Sequence, residues 1–401
     1  MSSLMEAVRA GRTAEVVSLL DGMTDAERRA CLPGLRQLRK DLGAAPWNAE
    51  SRRAQPALHA AGAACQPGAA AAAGWLVGAD PRWSQASPGL LLDVLGDRDP
   101  AWLADVTHRL ARRPPSSGVP YALMAGLVRL SGCAAPTTDA YVQGWMEHLG
   151  HVWQRGDTVL DRLRRDPHLT ELVAALFTTD DIGSRVEWQY GEGPDSWTVA
   201  LARLGEEGVL DRRTMVDACV TRLLRGASSA DHRVFLRLLV SLDLTPDERR
   251  ERTADWIALV RDAPSAVASY AQTMLGTLAL DGELTARRLS EMSGGVLPRG
   301  EKKLVRTQLI LLHKVIRRDP STVPELLPAV APAFAHHDSA VQERALKLVE
   351  RHFDRLEDSA ARSELVRAAD RLAPGLRARA ARLLRTDPGG ERESHVLLAS
   401  G

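Results

Sequence analysis

The sequence predicts an all-α protein, an α-solenoid in which amphipathic helix pairs stack one on the next. Three observations predict it. First, Leu201, Leu204, Gly208, Leu210 and Met215 recur as Leu275, Leu278, Gly282, Leu284 and Leu289, each pair 74 residues apart. Half of that offset is the length of one helix pair in a repeat array. Second, Val330 to Phe353 reads as one helix ending, a polar turn at His336, His337 and Asp338, and a second helix with an apolar face at Val341, Ala345, Leu348, Val349 and Phe353. Ser339 is expected to cap that helix, with Gln342 completing a capping box. Third, aromatic residues make up only 4% of the chain and Asn occurs once, at Asn48. Strands and hairpin turns use both, so a large β protein is disfavoured.

The 401 residues carry a formal net charge of +1, so no global attraction to a polyanion exists. Lys occurs 5 times among the 52 basic residues, leaving 47 Arg. GC-rich coding also produces such a bias, so Arg counts are discounted. Cys31, Cys65, Cys133 and Cys219 form no CxxC pair, which fits a reducing compartment better than a disulfide framework. The N-terminal stretch is too charged for a signal peptide, and no apolar run reaches the length of a membrane span. A cytoplasmic location is the expectation.

In chain order, residues 1–42 read as two or three short helices, broken at Gly11, with a capping box at Thr24 and Glu27. Residues 43–111 read as small-residue helices split by Pro56, Pro67, Pro81, Pro88 and Pro100. Arg112 to Pro120 is the clearest loop or linker of the first half. Helical periodicity resumes over Tyr121 to Leu130 and Thr138 to Leu163. Eight of nine Trp lie between Trp47 and Trp197. Arg185 to Trp197 alternates and is Gly-rich, so it reads as a small hairpin or an ordered loop. Trp188, Tyr190 and Trp197 are then expected to plug a junction between two halves.

Beyond Ser196, helices of similar face are expected to begin near Ser196, Asp231, Ala266, Glu301, Ser339 and Gly375. Partner helices begin near Asp211, Thr245, Thr285, Ser321 and Asp358. Thr245, Pro246 and Glu248 form a strong start signal. Asp319-Pro320 and Thr386 to Gly390 are stop signals. Such pairs cannot bury their apolar faces alone, so the expectation is a right-handed stack of about five pairs. The division is 1–180, helical with degenerate pairs; 181–386, the regular stack; and 387–401, a polar tail.

Ser196-Trp197, Ala200-Leu201, Leu204, Gly208, Leu210-Asp211-Arg212 and Asp217-Ala218 carry a resemblance, together with Leu244 to Arg249 and the HHDSAVQERAL unit. The chain resembles HEAT-repeat proteins, and in particular an actinobacterial family of uncharacterised HEAT-like proteins. The resemblance covers about residues 196–356, implies the fold and implies no catalytic residue.

No phosphate-binding loop, dinucleotide fingerprint, nucleophile elbow or HExxH is present. Glu147, His148 and His151, with Cys133, form a weak metal constellation, for which solvated helix-end histidines are the plainer account. His336, His337 and Asp338 read as turn chemistry, and Asp180-Asp181 as a helix cap. No cofactor, metal or small-molecule substrate is expected, and neither is an enzymatic activity.

The best candidate is electrostatic. Arg299 to Arg385 holds 18 Lys/Arg against 11 Asp/Glu, a net of +7. Lys303, Arg306, Lys314 and Arg317 share a polar stripe opposite Val305, Leu309, Leu312 and Ile316. The equivalent later helices add Lys347, Arg351 and Arg382. If these helices line a concave face, the seven residues form a surface for a protein partner with an acidic segment. The alternative is a nucleic-acid phosphate backbone, with a HEAT-like DNA glycosylase as its enzymatic version.

Overall fold

The computed structural model describes residues 2–44, 46–78, 85–150, 158–190, 193 and 195–384. The tail at 387–401, the stop signal at Thr386 to Gly390, and Pro81 and His151 lie outside these. The described residues contain only helices, turns and loops, with no strand. The chain forms two compact units, Met1–Met215 and Val216 onward.

The first unit opens with α1 (Ser2–Arg9), α2 (Thr13–Asp21), α3 (Asp25–Ala44), α4 (Ala49–Ala64), α5 (Ala69–Leu76), α6 (Pro88–Leu95) and α7 (Pro100–Ala111). Gly11 separates α1 from α2 at φ +69°, where a Cβ would lie 2.4 Å from the Arg53 carbonyl oxygen. The Thr24–Glu27 box forms reciprocally: Thr24 N–H donates to Glu27 at 2.8 Å, and Glu27 N–H donates to Thr24 Oγ1 at 3.3 Å. Pro88 and Pro100 occupy first helical positions behind the caps Ser87 and Asp99. Pro56, expected to split a helix, lies inside α4 instead. It is the eighth of sixteen residues, so α4 runs on through it with one interior bond, to the Arg52 carbonyl, left unmade.

Small residues set the packing of this unit. Gly62 of α4 has the Trp75 ring laid on its Cα, so an added Cβ would sit 2.0 Å from that ring. Trp75 is pinned there by its Nε1–H bond to the His59 carbonyl (3.1 Å) and by the Arg39 guanidinium 4.2 Å above it. Arg28, buried, pairs with Asp97 and donates to the Leu20 carbonyl. Arg98 reaches Asp25 at 2.5 Å and the carbonyls of Ala64 and Gln66.

The unit continues with α8 (Tyr121–Ser131), α9 (Asp139–Gly150), α10 (Val159–Arg164), α11 (Leu169–Leu176), α12 (Ile182–Tyr190) and α13 (Trp197–Glu206). Arg185 to Tyr190 is therefore helical, which corrects the expected hairpin or loop. Ile182 and Val186, four apart, are both buried and hold one face of α12 down. Trp197 is buried edge-on to Trp145 at 5.3 Å, and Trp145 Nε1–H donates to Asp166 at 2.7 Å. The Arg112 to Pro120 loop lies within the unit, carrying a 3-10 turn at Pro115–Ser117 and Gly118 at φ 67°.

After α14 (Arg212–Arg225) come α15 (Ser229–Leu242), α16 (Pro246–Glu251), α17 (Thr253–Asp262), α18 (Ser265–Asp281), α19 (Ala286–Val296) and α20 (Lys302–Arg318). The chain continues as α21 (Val323–Leu326), a 3-10 segment Pro328–Ala335, α22 (Ser339–His352), α23 (Ser359–Ala368) and α24 (Pro374–Leu383). The expected starts at Ser196, Asp211, Thr245, Thr285, Glu301, Ser339 and Asp358 each fall on a helix's first residue or the residue before it. Asp338, not Ser339, caps α22: its Oδ1 accepts from Ala340 N–H at 2.9 Å and Val341 N–H at 3.1 Å. Asp338, read from the sequence as part of the turn, takes the cap because its carboxylate satisfies two amides.

The 74-residue recurrence has a local structural meaning. Gly208 (φ +72°) follows α13 and Gly282 (φ +80°) follows α18. At both ends the next two N–H groups turn back to one carbonyl. Val209 and Leu210 donate to Leu204, as Glu283 and Leu284 donate to Leu278. Glycine is required because this end-cap needs a left-handed residue.

Within the second unit α18 packs on α20, α20 on α22 and α22 on α24. In a parallel series α17 packs on α19, α19 on the 3-10 segment, and that segment on α23. Three polar links between neighbours of the first series share one separation. Ser265 donates to Glu301 (2.7 Å), Gln272 to Gln308 (3.1 Å) and Lys302 to Asp338 (2.6 Å), each across 36 residues. Arg299 donates to the carbonyls of Val260, Arg261 and Ala263 at 3.0 Å each, and to both oxygens of Glu301. That pairing, with the Ser265 hydroxyl, holds the Glu301 carboxyl down at about 2.

Candidate functional site

A groove of about 630 Å³ runs between α20 and α22. Val305, Leu309, Leu312 and Ile316 are buried, as the opposite face of α20 requires. That rotation brings Arg306, Ile310 and His313 to one wall of the groove. The other wall is α22, with Ala340, Glu343, Arg344, Lys347, Leu348 and Arg351.

The groove is basic, with an apolar floor. Arg306, Arg344, Lys347 and Arg351 face one carboxylate, Glu343, which pairs with Lys347 at 2.7 Å. The Lys347 hydrogen bond, and then its charge, lower the Glu343 pKa. Arg351 Nη1 lies 3.2 Å from His313 Nε2. A guanidinium can only donate, so His313 accepts as the neutral ring. Its lowered pKa agrees, caused by burial first and then by Arg351 and Arg317. Ile310 is an exposed large apolar side chain, 39% accessible.

Of the seven residues expected to form the surface, Arg306, Lys347 and Arg351 meet in this groove. Lys303, Lys314 and Arg317 are exposed on α20, and Arg382 on α24, outside the lining. Ile310, His313 and Arg344 line it and were missed. Their signal was the i, i+4, i+7 run of Arg306, Ile310 and His313, which continues at Arg317.

The other candidates resolve into structure. His336 is buried, stacked on His337 at 4.3 Å, and its Nδ1 accepts from Asp338 N–H at 3.0 Å. Asp181 (φ 58°) immediately precedes α12, while the Asp180 carbonyl accepts from Gln143 at 2.8 Å. Glu147 pairs with Arg185. No cluster of three or more His, Cys, Asp or Glu able to hold a metal occurs among the described residues. None of the four cysteines forms a disulfide. No helix among the described residues is long and apolar enough to cross a membrane. The chain matches no protein-family model, no curated protein and no solved structure.

Proposed function

We propose that the chain is a non-enzymatic scaffold of HEAT-like helix pairs that holds a protein partner through the α20–α22 groove. The two parallel packing series and the 36-residue links support an α-solenoid reading of the second unit. In that reading α18, α20, α22 and α24 line the concave face.

The observation that carries the function is the mixed lining. Four cationic side chains border Leu309, Ile310 and Leu348, and no Trp or Tyr is among the lining residues. A phosphate backbone needs charge but no apolar floor, and a flipped base needs an aromatic stack. An amphipathic peptide bearing Asp or Glu uses both the charge and the apolar floor. The second reading, a nucleic-acid backbone, rests on the +7 excess of residues 299–385.

Fluorescence anisotropy with acidic amphipathic peptides, run beside duplex DNA across a salt series, separates the two. Arg306→Glu combined with Arg351→Glu is expected to weaken peptide binding by about tenfold or more. Lys314→Glu, outside the lining, is expected to leave it within about twofold. DNA binding with a steep salt slope and no peptide binding would replace this reading with the second.

A further inference from the structure

Residues 387–401 lie outside the described part of the chain, and their sequence has two chemical blocks. Asp387, Glu391 and Glu393 stand against a single basic residue, Arg392, and the apolar run Val396, Leu397 and Leu398 follows. Carboxylates beside an apolar surface are what the α20–α22 groove takes on the reading above.

The groove has charge left to satisfy. Arg306 and Arg344 meet no carboxylate among the described residues, and the partner of Arg351 is the neutral His313. Lys347 shares Glu343 with Arg379 of α24, at 2.7 and 4.0 Å. Among these cations Ile310 is exposed, and Leu309 and Leu348 line the groove with it.

The path of the chain brings the two blocks within reach. α24 lies along α22 in the same direction. Ala373 N–H, at the head of α24, donates to Gln342 at 2.8 Å, and Arg379, farther on, reaches Glu350 at 2.6 Å. From Ala373 to Leu384 the helix rises about 16 Å, which carries its end to the level of Arg351. Arg379 also touches Glu343, a lining residue, so α24 borders the α22 wall of the groove. Helices in contact lie about 8–10 Å apart, so the groove opens about one such spacing from Leu384. Counted from Leu384, an extended chain covers about 23 Å by Glu391 and about 46 Å by Leu398. Both blocks reach the groove, and the acidic one arrives first, at the Arg351 end.

Tethering multiplies what these contacts are worth. A segment joined by a short linker is present at its site at an effective concentration of about 1 mM. Weak contacts then suffice to fill the groove, and a free acidic segment binds only by displacing the tethered one.

We propose that residues 387–401 dock in the α20–α22 groove of their own chain and compete there with the partner. The carboxylates meet Arg344, Lys347 and Arg351, and Val396 to Leu398 cover the apolar floor. This rests on the groove reading given above, and it adds a threshold: a partner segment must outbind the chain's own.

The test uses the full chain with Ile310→Cys and Leu397→Cys under mild oxidation. Peptide mass identifies the cross-link and excludes pairs made by the native cysteines. Thr273→Cys with Leu397→Cys is the control, since Thr273 is exposed on α18 outside the groove lining. Cross-linking to position 310 is expected to be about tenfold faster than to position 273. Glu391→Lys with Glu393→Lys should slow it about fivefold, without touching the groove itself. In the chain without added cysteines, the same charge reversal should tighten binding of an acidic amphipathic peptide about threefold. Circular dichroism checks that each variant is folded. A rate equal to the control, or one unmoved by the charge reversal, overturns the proposal. Cross-links formed only between chains overturn it in favour of a second copy as occupant, and peptide binding equal in both chains removes the competition. A fast, charge-dependent cross-link in a chain that binds no acidic peptide even after charge reversal would support the docking and sink the partner reading alone.

Discussion

The two units solve the same problem, helix against helix, with different devices. In the first, closeness comes from missing side chains: Gly62 under Trp75 and Gly144 under Tyr121. Its long polar links, Arg28 to Asp97 and Arg98 to Asp25, span 69 and 73 residues and follow no common period. In the second, three polar links between neighbours share a separation of 36 residues, and the buried amides of Gln272 and Gln308 meet directly. The first unit holds a pocket of about 850 Å³ lined by residues between Leu110 and Arg185, and the second a groove of about 630 Å³ between α20 and α22.

The strongest break in this comparison is Gly62→Ala. The Trp75 ring is pinned from two sides and cannot yield cheaply. Overpacking of this kind is expected to cost about 3 kcal/mol. Hydrogen exchange followed by mass spectrometry should show lost protection in peptides of α4 and α5. Normal protection there would mean that the ring moves freely.

A smaller effect tests the periodic links. Gln308 takes the Gln272 amide and donates to Ser293 at 2.9 Å, all of it buried. Gln308→Leu is expected to cost about 1–2 kcal/mol in urea denaturation, because its partners lose bonds they cannot replace. Adding Gln272→Leu should recover part of that loss. An additive double variant would show that the link positions the helices without stabilising them.

The smallest effect concerns acid. His352 is buried, and neither ring nitrogen has a partner among the described residues. Burial, then the charges of Arg355, His313 and Arg351, lower its pKa from 6.5. His336 and His313 are lowered as well, by burial first. A histidine depressed in the folded state binds fewer protons than in the unfolded chain. Stability is therefore complete above 6.5 and is lost as pH falls from there through the depressed values. Glu301, held at about 2 against its usual 4.5, adds a second loss that begins near 4.5. Protection of peptides from 301–353, corrected for the slower intrinsic exchange in acid, should fall in those two windows. His352→Leu is expected to raise the melting temperature slightly, by about 1 kcal/mol of stability, and to weaken the first window. An unchanged pH profile in that variant would assign the first window to other groups.

Helix starts were legible because capping chemistry is local: Thr245 with Glu248, and Thr285 before α19. The exposed stripe of α20 was legible from its buried face. Which part of that stripe meets α22 was not, because it depends on how two helices rotate against each other. Lys303 and Lys314 therefore fell outside the groove, and Ile310 and His313 fell inside it. The Arg185 to Tyr190 segment misled because its alternation suits a strand, while burial of Ile182 and Val186 at helical spacing decided otherwise. The first-unit pocket was not legible, since its four arginines come from three separate segments, after α7, on α10 with its cap, and on α12.

Arg299 bears on the chain's heavy preference for arginine over lysine. One guanidinium there ties three carbonyls of the last turn and cap of α17 to a carboxylate at the head of α20. An ammonium has three donors on a single atom and cannot span acceptors so far apart. Swapping arginine for lysine would pass unnoticed over much of the solvent-facing surface. At residue 299 the same swap would unfasten a joint between adjoining helices, so part of what looks like codon drift is mechanically fixed.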